Sequence, residues 1–496
     1  MAVQRRTVVK GLTAVAAAVP AVGFTSGSAQ AAGASGDSLV FDPSAYTEQT
    51  ITLTDTEGTA HEVVYRFHKV ASYVAKPVDA TYQSLNISVP VRIDGTAVDA
   101  SDAPILFANS IGGYMPSSLA NRTGIAATGM GGATSRQGLA LAAGYVVVEP
   151  GARGRTLVDS SGVYYGTAPA AIVDLKAAVR YLKFNKGRVP GDVHRIVSCG
   201  TSAGGALSSL LGASGDSPLY APYLEEIGAA DASDAIFATG AWCPITDLEH
   251  ADMAYEWCWG SNPLASGSLV DRTVSGELSS AYGPYLASLK LRARGFGALT
   301  ARNMDDYLLR TFMQPSATKY LAALSDSARA AYLAANPFIS WDGSTATFTW
   351  ADFLTHVGAR KKNAPSFDAF DLSTPECNLY GTGTTAARHF TLYSLRHESG
   401  AGARLDEDIP AKLRLMNPMY HLVDKVNAGR SRHWWIRLGT KDTDTSHTVA
   451  GNLSARLTDL GDDVDTSYYW DAGHGADQDP GDFVKWIAAV SGHRHR

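Results

Sequence analysis

Gly200-Thr201-Ser202-Ala203-Gly204 stands between an apolar, strand-like stretch, Val193 to Ser198, and a helix-forming one, Ala206 to Leu211. A serine on so tight a strand-to-helix turn exposes its hydroxyl at the edge of a sheet, and glycines two residues to either side let the backbone take the strain. The segment reads as a nucleophile elbow. Five residues of this kind also arise by chance, so their meaning depends on what the rest of the chain supplies.

The rest of the chain supplies a base and an acid in the order Ser, acid, His, which is the order of the α/β-hydrolases. Trp434-Trp435-Ile436-Arg437-Leu438 reads as a buried strand running into Gly439-Thr440-Lys441-Asp442-Thr443-Asp444. Asp442, nearer the strand end, is preferred as the acid over Asp444. Ser467-Tyr468-Tyr469-Trp470 reads as the next strand and leads to Asp471-Ala472-Gly473-His474-Gly475, where glycines let the loop bring His474, the candidate base, close to the serine. An oxyanion hole needs two backbone N–H donors, one from the residue after the nucleophile, here Ala203, and one from the loop after an early strand. Ala103 to Asn109 is such a strand, and Ser110-Ile111-Gly112-Gly113-Tyr114 follows it, so Gly112 and Gly113 are the candidates.

With 496 residues and 45% apolar content the chain exceeds an ordinary single domain, which suggests a two-part architecture. From about Asp37 to Pro244, strand-like and helix-like segments alternate, among them Gly144 to Glu149, the amphipathic Ala170 to Phe184 and Asp234 to Thr239. That is the pattern of a mostly parallel sheet flanked by helices. From about Asp247 to Leu413 the pattern turns helix-rich, as in Ser279 to Leu291 and Asp305 to Phe312, and the sheet pattern resumes near Asn417. The expected division is 32–246 and 414–496 for the α/β-hydrolase domain and 247–413 for a helix-rich lid inserted over the site.

Arg5-Arg6 ahead of the apolar run Leu12 to Phe24, with Ala29-Gln30-Ala31 as a small-residue cleavage site, reads as a twin-arginine export signal over residues 1–31. A secreted protein is expected. No later apolar run is long enough to cross a membrane, so no stable membrane association is expected after signal removal. The net charge of −6, without a Lys/Arg stripe, gives no sign of a nucleic-acid partner. The four cysteines, Cys199, Cys243, Cys258 and Cys377, are too few for a disulfide scaffold and lack Cys-x-x-Cys spacing, so no metal site is expected. Cys243 and Cys258 are near enough in sequence to bridge, and Cys199 reads as a small buried hydrophobe.

Five segments taken together, Ser110 to Pro116, Cys199 to Gly205, Lys362 to Asp368, Asp442-Thr443-Asp444 and Gly473-His474-Gly475, resemble the bacterial tannases over nearly the whole mature chain. The lysine ahead of Pro-x-Phe-Asp and the later Glu376-Cys377-Asn378-Leu379-Tyr380-Gly381 are the most specific parts. The resemblance implies that a lid lysine, a lid glutamate and the second aspartate of Asp-x-Asp hold the phenolic hydroxyls of gallate, which places those roles on Lys362, with Lys361 beside it, on Glu376 and on Asp444. The chemistry is sensible, because phenolic O–H groups donate well to carboxylates and an ammonium donates to phenolic oxygens. The expected activity is a serine esterase acting on galloyl or related hydroxybenzoyl esters through an acyl-enzyme, with a small-molecule phenolic ester as partner and no cofactor. A feruloyl or general aryl esterase would share the Ser-His-Asp set without needing Lys362, Glu376 and Asp444 to converge. A prolyl-peptidase-like enzyme would carry a propeller or an amine-binding glutamate pair, and neither is found in the sequence.

Overall fold

The computed structural model describes residues 39–129, 132–423 and 427–493, so the export segment lies outside the described residues. A ten-stranded sheet runs through it: β1 (Thr47–Thr54), β2 (Ala60–Val70), β3 (Leu85–Ile93), β4 (Thr96–Ala97), β5 (Ile105–Ala108), β6 (Val146–Pro150), β7 (Ile196–Thr201), β8 (Ala238–Trp242), β9 (His433–Gly439) and β10 (Asp463–Tyr469). The order is β1-β2-β3-β6-β5-β7-β8-β9-β10, with β4 paired to β3. The pairs from β6 through β10 are parallel, and β1, β2, β3 and β6 pair antiparallel. The parallel core strands β5, β6 and β8 are buried at every residue, as strands covered by helices on both faces must be. The expected α/β-hydrolase architecture, a mostly parallel sheet flanked by helices, is what the chain forms.

The helices that bear on the site are α1 (Arg136–Ala142), α2 (Ala170–Phe184), α3 (Ala203–Ala213), α4 (Leu248–Trp259), α5 (Arg272–Leu289), α6 (Pro375–Leu379), α7 (His447–Asp459) and α8 (Pro480–Ser491). From β5 the chain crosses by α1 to β6 on one side, then by α2 to β7 on the other. The connections leaving the carboxyl ends of the neighbouring strands β5 and β7 therefore diverge. That divergence opens a crevice at the sheet edge, where parallel α/β sheets bind ligands.

Two sequence readings change in detail. Helix α2 keeps its expected bounds but is buried on more than one face, and its inward charges are matched: Asp174 accepts from Arg153 and Gln83, and Lys176 Nζ lies 2.7 Å from Asp234 Oδ1. Asp234, expected to open a strand, stands ahead of β8 as the shared partner of Lys176 and Arg180. Between β8 and β9 the chain is helix-rich as expected, with two small two-stranded ladders, Arg292–Ala293 with Gly297–Ala298 and Ser340–Trp341 with Ala346–Thr347. These inserted elements belong to the same compact unit as the sheet. All four cysteines are free, buried thiols, so Cys243 and Cys258 are not bridged. No described helix is long and apolar enough to cross a membrane.

Candidate active site

Ser202 stands between β7 and α3 with φ 59° and ψ −123°, a region that side-chain-bearing residues rarely occupy. The strain therefore sits on the serine itself, and the flanking glycines answer a different need. A Cβ on Gly200 would lie 2.3 Å from Gly204 O and 2.6 Å from Asn109 Nδ2, and one on Gly204 would lie 2.5 Å from Asn109 Oδ1. Neither glycine has positive φ; they are glycines because β7, α3 and the end of β5 approach too closely for a side chain. Asn109 Nδ2 holds that approach, within 3.1 Å of the Cys199 and Gly204 carbonyls and 3.0 Å of Ser208 Oγ. The Ser202 N–H donates to Trp242 O at 2.9 Å, fastening the turn to the end of β8.

His474 hangs on the loop after β10. Its Nε2 lies 2.8 Å from Ser202 Oγ and its Nδ1 lies 2.8 Å from Asp442 Oδ2. Asp444 Oδ2 is 3.9 Å from the same Nδ1, beyond hydrogen-bond reach. Asp442 is fully buried, and its second oxygen accepts the Asp444 N–H at 2.9 Å. Burial would lower the His474 pKa, but the hydrogen bond and charge of Asp442, with Cys243 Sγ 3.9 Å from Nε2 acting in the same direction, outweigh it and raise the imidazole above its ordinary value. Arg136, at the start of α1, ties the two loops together: Nη2 donates to Thr201 Oγ1 at 2.7 Å, Nε lies 3.2 Å from Asp477, and the guanidinium sits 3.8 Å over the Trp242 ring.

Of the two glycines expected for the second oxyanion donor, both exposed, Gly113 lines the cavity with Ser202 and Gly112 does not. Gly113 and Tyr114 both adopt left-handed φ, 54° and 56°. Ala203 is the first residue of α3, so its N–H is one of the amides that the helix leaves without an internal partner.

The cavity over Ser202 and His474 has a volume of about 670 Å³, and Lys362, Glu376 and Asp444 all stand in its wall. Glu376 Oε2 is buried with no hydrogen-bond partner, and burial raises its carboxyl, with Lys362 pulling the other way. The Lys362 ammonium lies 3.6 Å from the centre of the Phe367 ring. Lys361, largely exposed, instead pairs with Asp444 at 2.7 Å. The structure thus separates the adjacent lysines, one in the cavity wall and one on Asp444.

Several residues that organise this wall escaped the sequence reading. Asp252 and Glu256, four apart on one face of α4, both reach the segment 360–368. Asp252 accepts the N–H groups of Ser366, Phe367 and Asp368, and Glu256 pairs with Arg360, whose Nε donates to Lys362 O at 2.8 Å. Arg155 Nε donates to Gly113 O at 2.8 Å. Only the i, i+4 spacing of the two acids was visible beforehand, and spacing does not say what they hold.

Two groups bring Cys, Asp and His atoms within ligand distance of one another: Cys243, Asp442 and His474 at the site, and Asp368, Cys377 and His389 behind the wall. In the second group the Asp368 carboxylate already takes His389 Nδ1 at 2.7 Å, Cys377 Sγ at 3.3 Å and both the N–H and hydroxyl of Thr391. Hydrogen bonds account for that cluster without an ion.

A sheet that gathers serine, histidine and aspartate at its carboxyl edge, under a cavity walled by the segment between β8 and β9, is the arrangement of the α/β-hydrolases. Comparison with known proteins sharpens this. A family model described as BD-FAE matches residues 128–269. Among solved structures, the tannase of Fusobacterium nucleatum superposes with a TM-score of 0.81 at 36% identity, covering 91% of this chain and 99% of that one. The native tannin acyl hydrolase of Lactobacillus plantarum gives 0.79 at 34% identity, and a tannin acyl hydrolase in complex with ethyl gallate gives 0.80 at 35%, each with the same coverage of 91% and 99%. A search of curated proteins returns no match. The chain belongs to the bacterial tannase, or tannin acyl hydrolase, family, as its motifs led one to expect.

Proposed function

We propose that this protein hydrolyses galloyl and related hydroxybenzoyl esters by a serine mechanism, with the ring held by Lys362, Glu376 and Asp444. The observation that carries the reading is the buried, unpartnered Glu376 Oε2 in the same cavity wall as Ser202 and His474. A buried acceptor without a donor is costly, and a phenolic O–H of the substrate supplies the donor. Relatives support the ligand class, since tannin acyl hydrolases have been solved with ethyl gallate and with 3,4-dihydroxybenzoate.

In this mechanism His474 Nε2 takes the Ser202 proton as Oγ attacks the ester carbonyl, and Asp442 fixes the imidazole tautomer and stabilises the imidazolium. The N–H groups of Ala203 and Gly113 receive the developing oxyanion, at about 3 to 4 kcal/mol per donor. His474 then protonates the departing alcohol, and a water activated by the same nitrogen frees the acid from the acyl-enzyme. The inserted segment acts as the lid that carries Lys362 and Glu376 over the serine. Export by the twin-arginine route follows from Arg5-Arg6 and the apolar run behind them, and exchange of both arginines for lysine tests it by holding the protein inside a competent bacterial host.

The test of the activity is acid release from the methyl esters of gallate, protocatechuate, ferulate and benzoate, with mass spectrometry of the acylated enzyme. Gallate and protocatechuate esters should turn over fastest and leave a galloyl or protocatechuoyl group on Ser202. Equal rates across the panel would make the protein a general aryl esterase, and acylation elsewhere would remove Ser202 from the mechanism.

A further inference from the structure

The oxyanion loop and the ring-binding helix are joined by one side chain. Arg155, on the segment after β6, donates its backbone N–H to Tyr114 O at 2.9 Å and its Nε to Gly113 O at 2.8 Å. It therefore grips two successive carbonyls of a turn whose residues Gly113 and Tyr114 are both held at left-handed φ, which for a tyrosine is an unfavourable conformation needing outside support. The approach is tight: a Cβ on the neighbouring Gly154 would lie 2.2 Å from Pro116 N. At its other end Arg155 Nη1 donates to Asn378 Oδ1 at 2.7 Å. Asn378 stands two residues after Glu376 on α6, and its own amide is oriented because Nδ2 donates to Ala386 O at 2.6 Å. Two backbone bonds run alongside this link, from the Ala168 N–H to Leu379 O and from the Tyr164 N–H to Gly383 O, so the segment after β6 is laid against α6 and its exit.

We propose that Arg155 is a positioning residue that couples occupation of the ring subsite to the geometry of the oxyanion hole. The inference rests on the proposed reading of Gly113 as an oxyanion donor and Glu376 as a ring acceptor. When a ring hydroxyl donates to the unpartnered Glu376 Oε2, it holds α6; α6 holds Asn378, Asn378 holds the guanidinium, and the guanidinium holds the Gly113 carbonyl, one peptide on from the Gly113 N–H. A substrate without ring hydroxyls leaves that chain slack at its far end. Binding energy gained on the ring is in this way expressed at the carbonyl, as a higher kcat rather than only a lower KM.

The planar fork of arginine reaches both carbonyl and amide at once, and lysine, with one point of donation, does not. Arg155→Met and Asn378→Ala cut the link at its two ends, and only the first touches the oxyanion loop. The readout compares two inhibitors. Pyrogallol, the gallate ring without its carboxylate, occupies the ring subsite alone, while 3,4-dihydroxyphenylboronic acid adds Ser202 Oγ to boron, the serine proton passing to His474, and places a hydroxyl of the tetrahedral boronate anion in the oxyanion hole. Asn378→Ala, which keeps the Arg155 charge that acts on Glu376, should bind pyrogallol within about twofold of the unmodified enzyme, and both variants should bind the boronic acid roughly ten- to a hundredfold more weakly relative to pyrogallol and lose kcat on methyl gallate by a similar factor with KM little changed. Arg155→Lys should fall between. A residue that merely stabilised the fold would weaken both inhibitors together, and that result overturns the proposal. So does wild-type boronic acid affinity in Asn378→Ala. If the unmodified enzyme itself fails to bind pyrogallol, the ring-subsite reading fails instead, and the coupling with it.

Discussion

At the residue scale, the arrangement assigns unequal roles to two aspartates only two positions apart. Asp442 is buried and bonded to His474 Nδ1, while Asp444 lies out of reach of that nitrogen and is neutralised by Lys361. Ser202→Ala and His474→Ala should each lower kcat by about three orders of magnitude or more with the fold intact, and Asp442→Asn should be nearly as severe. Asp444→Asn should leave hydrolysis of a small activated acetyl ester within about an order of magnitude, because no hydrogen bond to the base is lost. If Asp444→Asn is the more damaging of the two on every ester, the acid has been misassigned. The pH profile carries a second check. As the proposed base His474 works only when neutral, and Asp442 favours its protonated form, so the acid limb of kcat/KM should lie above the ordinary imidazole range. Removing that charge in Asp442→Asn should move the limb to lower pH even as the rate falls. A limb that stays put in that variant would mean another group titrates.

At the element scale, α4 does for the cavity wall what β7 and β10 do for the serine and histidine. Glu256 and Arg360 are both without solvent exposure and pair directly, and Glu256 also accepts from Ser275 Oγ. Glu256→Ala leaves a buried guanidinium without its carboxylate, a loss of about 3 to 5 kcal/mol by the usual measure of broken buried pairs, to be read from urea unfolding. Because Arg360 Nε holds Lys362 O, the same variant should also raise KM for methyl gallate, and a fully stable variant with unchanged KM would show that the wall is held elsewhere. What the sequence revealed at this scale follows from physics. Buried parallel strands are apolar runs, so β5, β6, β7 and β9 announce themselves to within a few residues, and the loops at their ends carry their motifs openly. Asp305 to Phe312 is helical as read, but its form was not legible: an α-helical turn, Met304–Leu308, passes into a π-helical one, Leu309–Met313, which has no distinct side-chain period over five residues. Arg155 was illegible for a plainer reason, since its partner Asn378 is 223 residues away and no local pattern marks either.

At the scale of the whole molecule, the proposed roles divide chemistry from recognition along the sequence. The proposed nucleophile, base, acid and oxyanion donors come from loops at the carboxyl ends of β5, β7, β9 and β10, whereas Lys362 and Glu376 come from the segment inserted between β8 and β9. Asp444 is the exception, a proposed recognition residue on a sheet loop, two positions from the proposed acid Asp442. This division makes the two functions separable by mutation. Polar groups built to meet ring hydroxyls are left unpaired when an analogue lacks them, so the enzyme should prefer methyl gallate to methyl benzoate by a wide margin in kcat/KM. Glu376→Ala, Lys362→Met and Asp444→Ala should each shrink that preference by about 1 to 3 kcal/mol while sparing a small activated acetyl ester. Ser202→Ala and His474→Ala should abolish both activities in equal proportion. The ratio of the two kcat/KM values is the deciding quantity, because a variant that simply unfolds lowers both together. If the three wall variants lose acetyl esterase and gallate activity in parallel, recognition and chemistry are not divided as the geometry indicates, and the insertion serves the stability of the sheet rather than the choice of substrate.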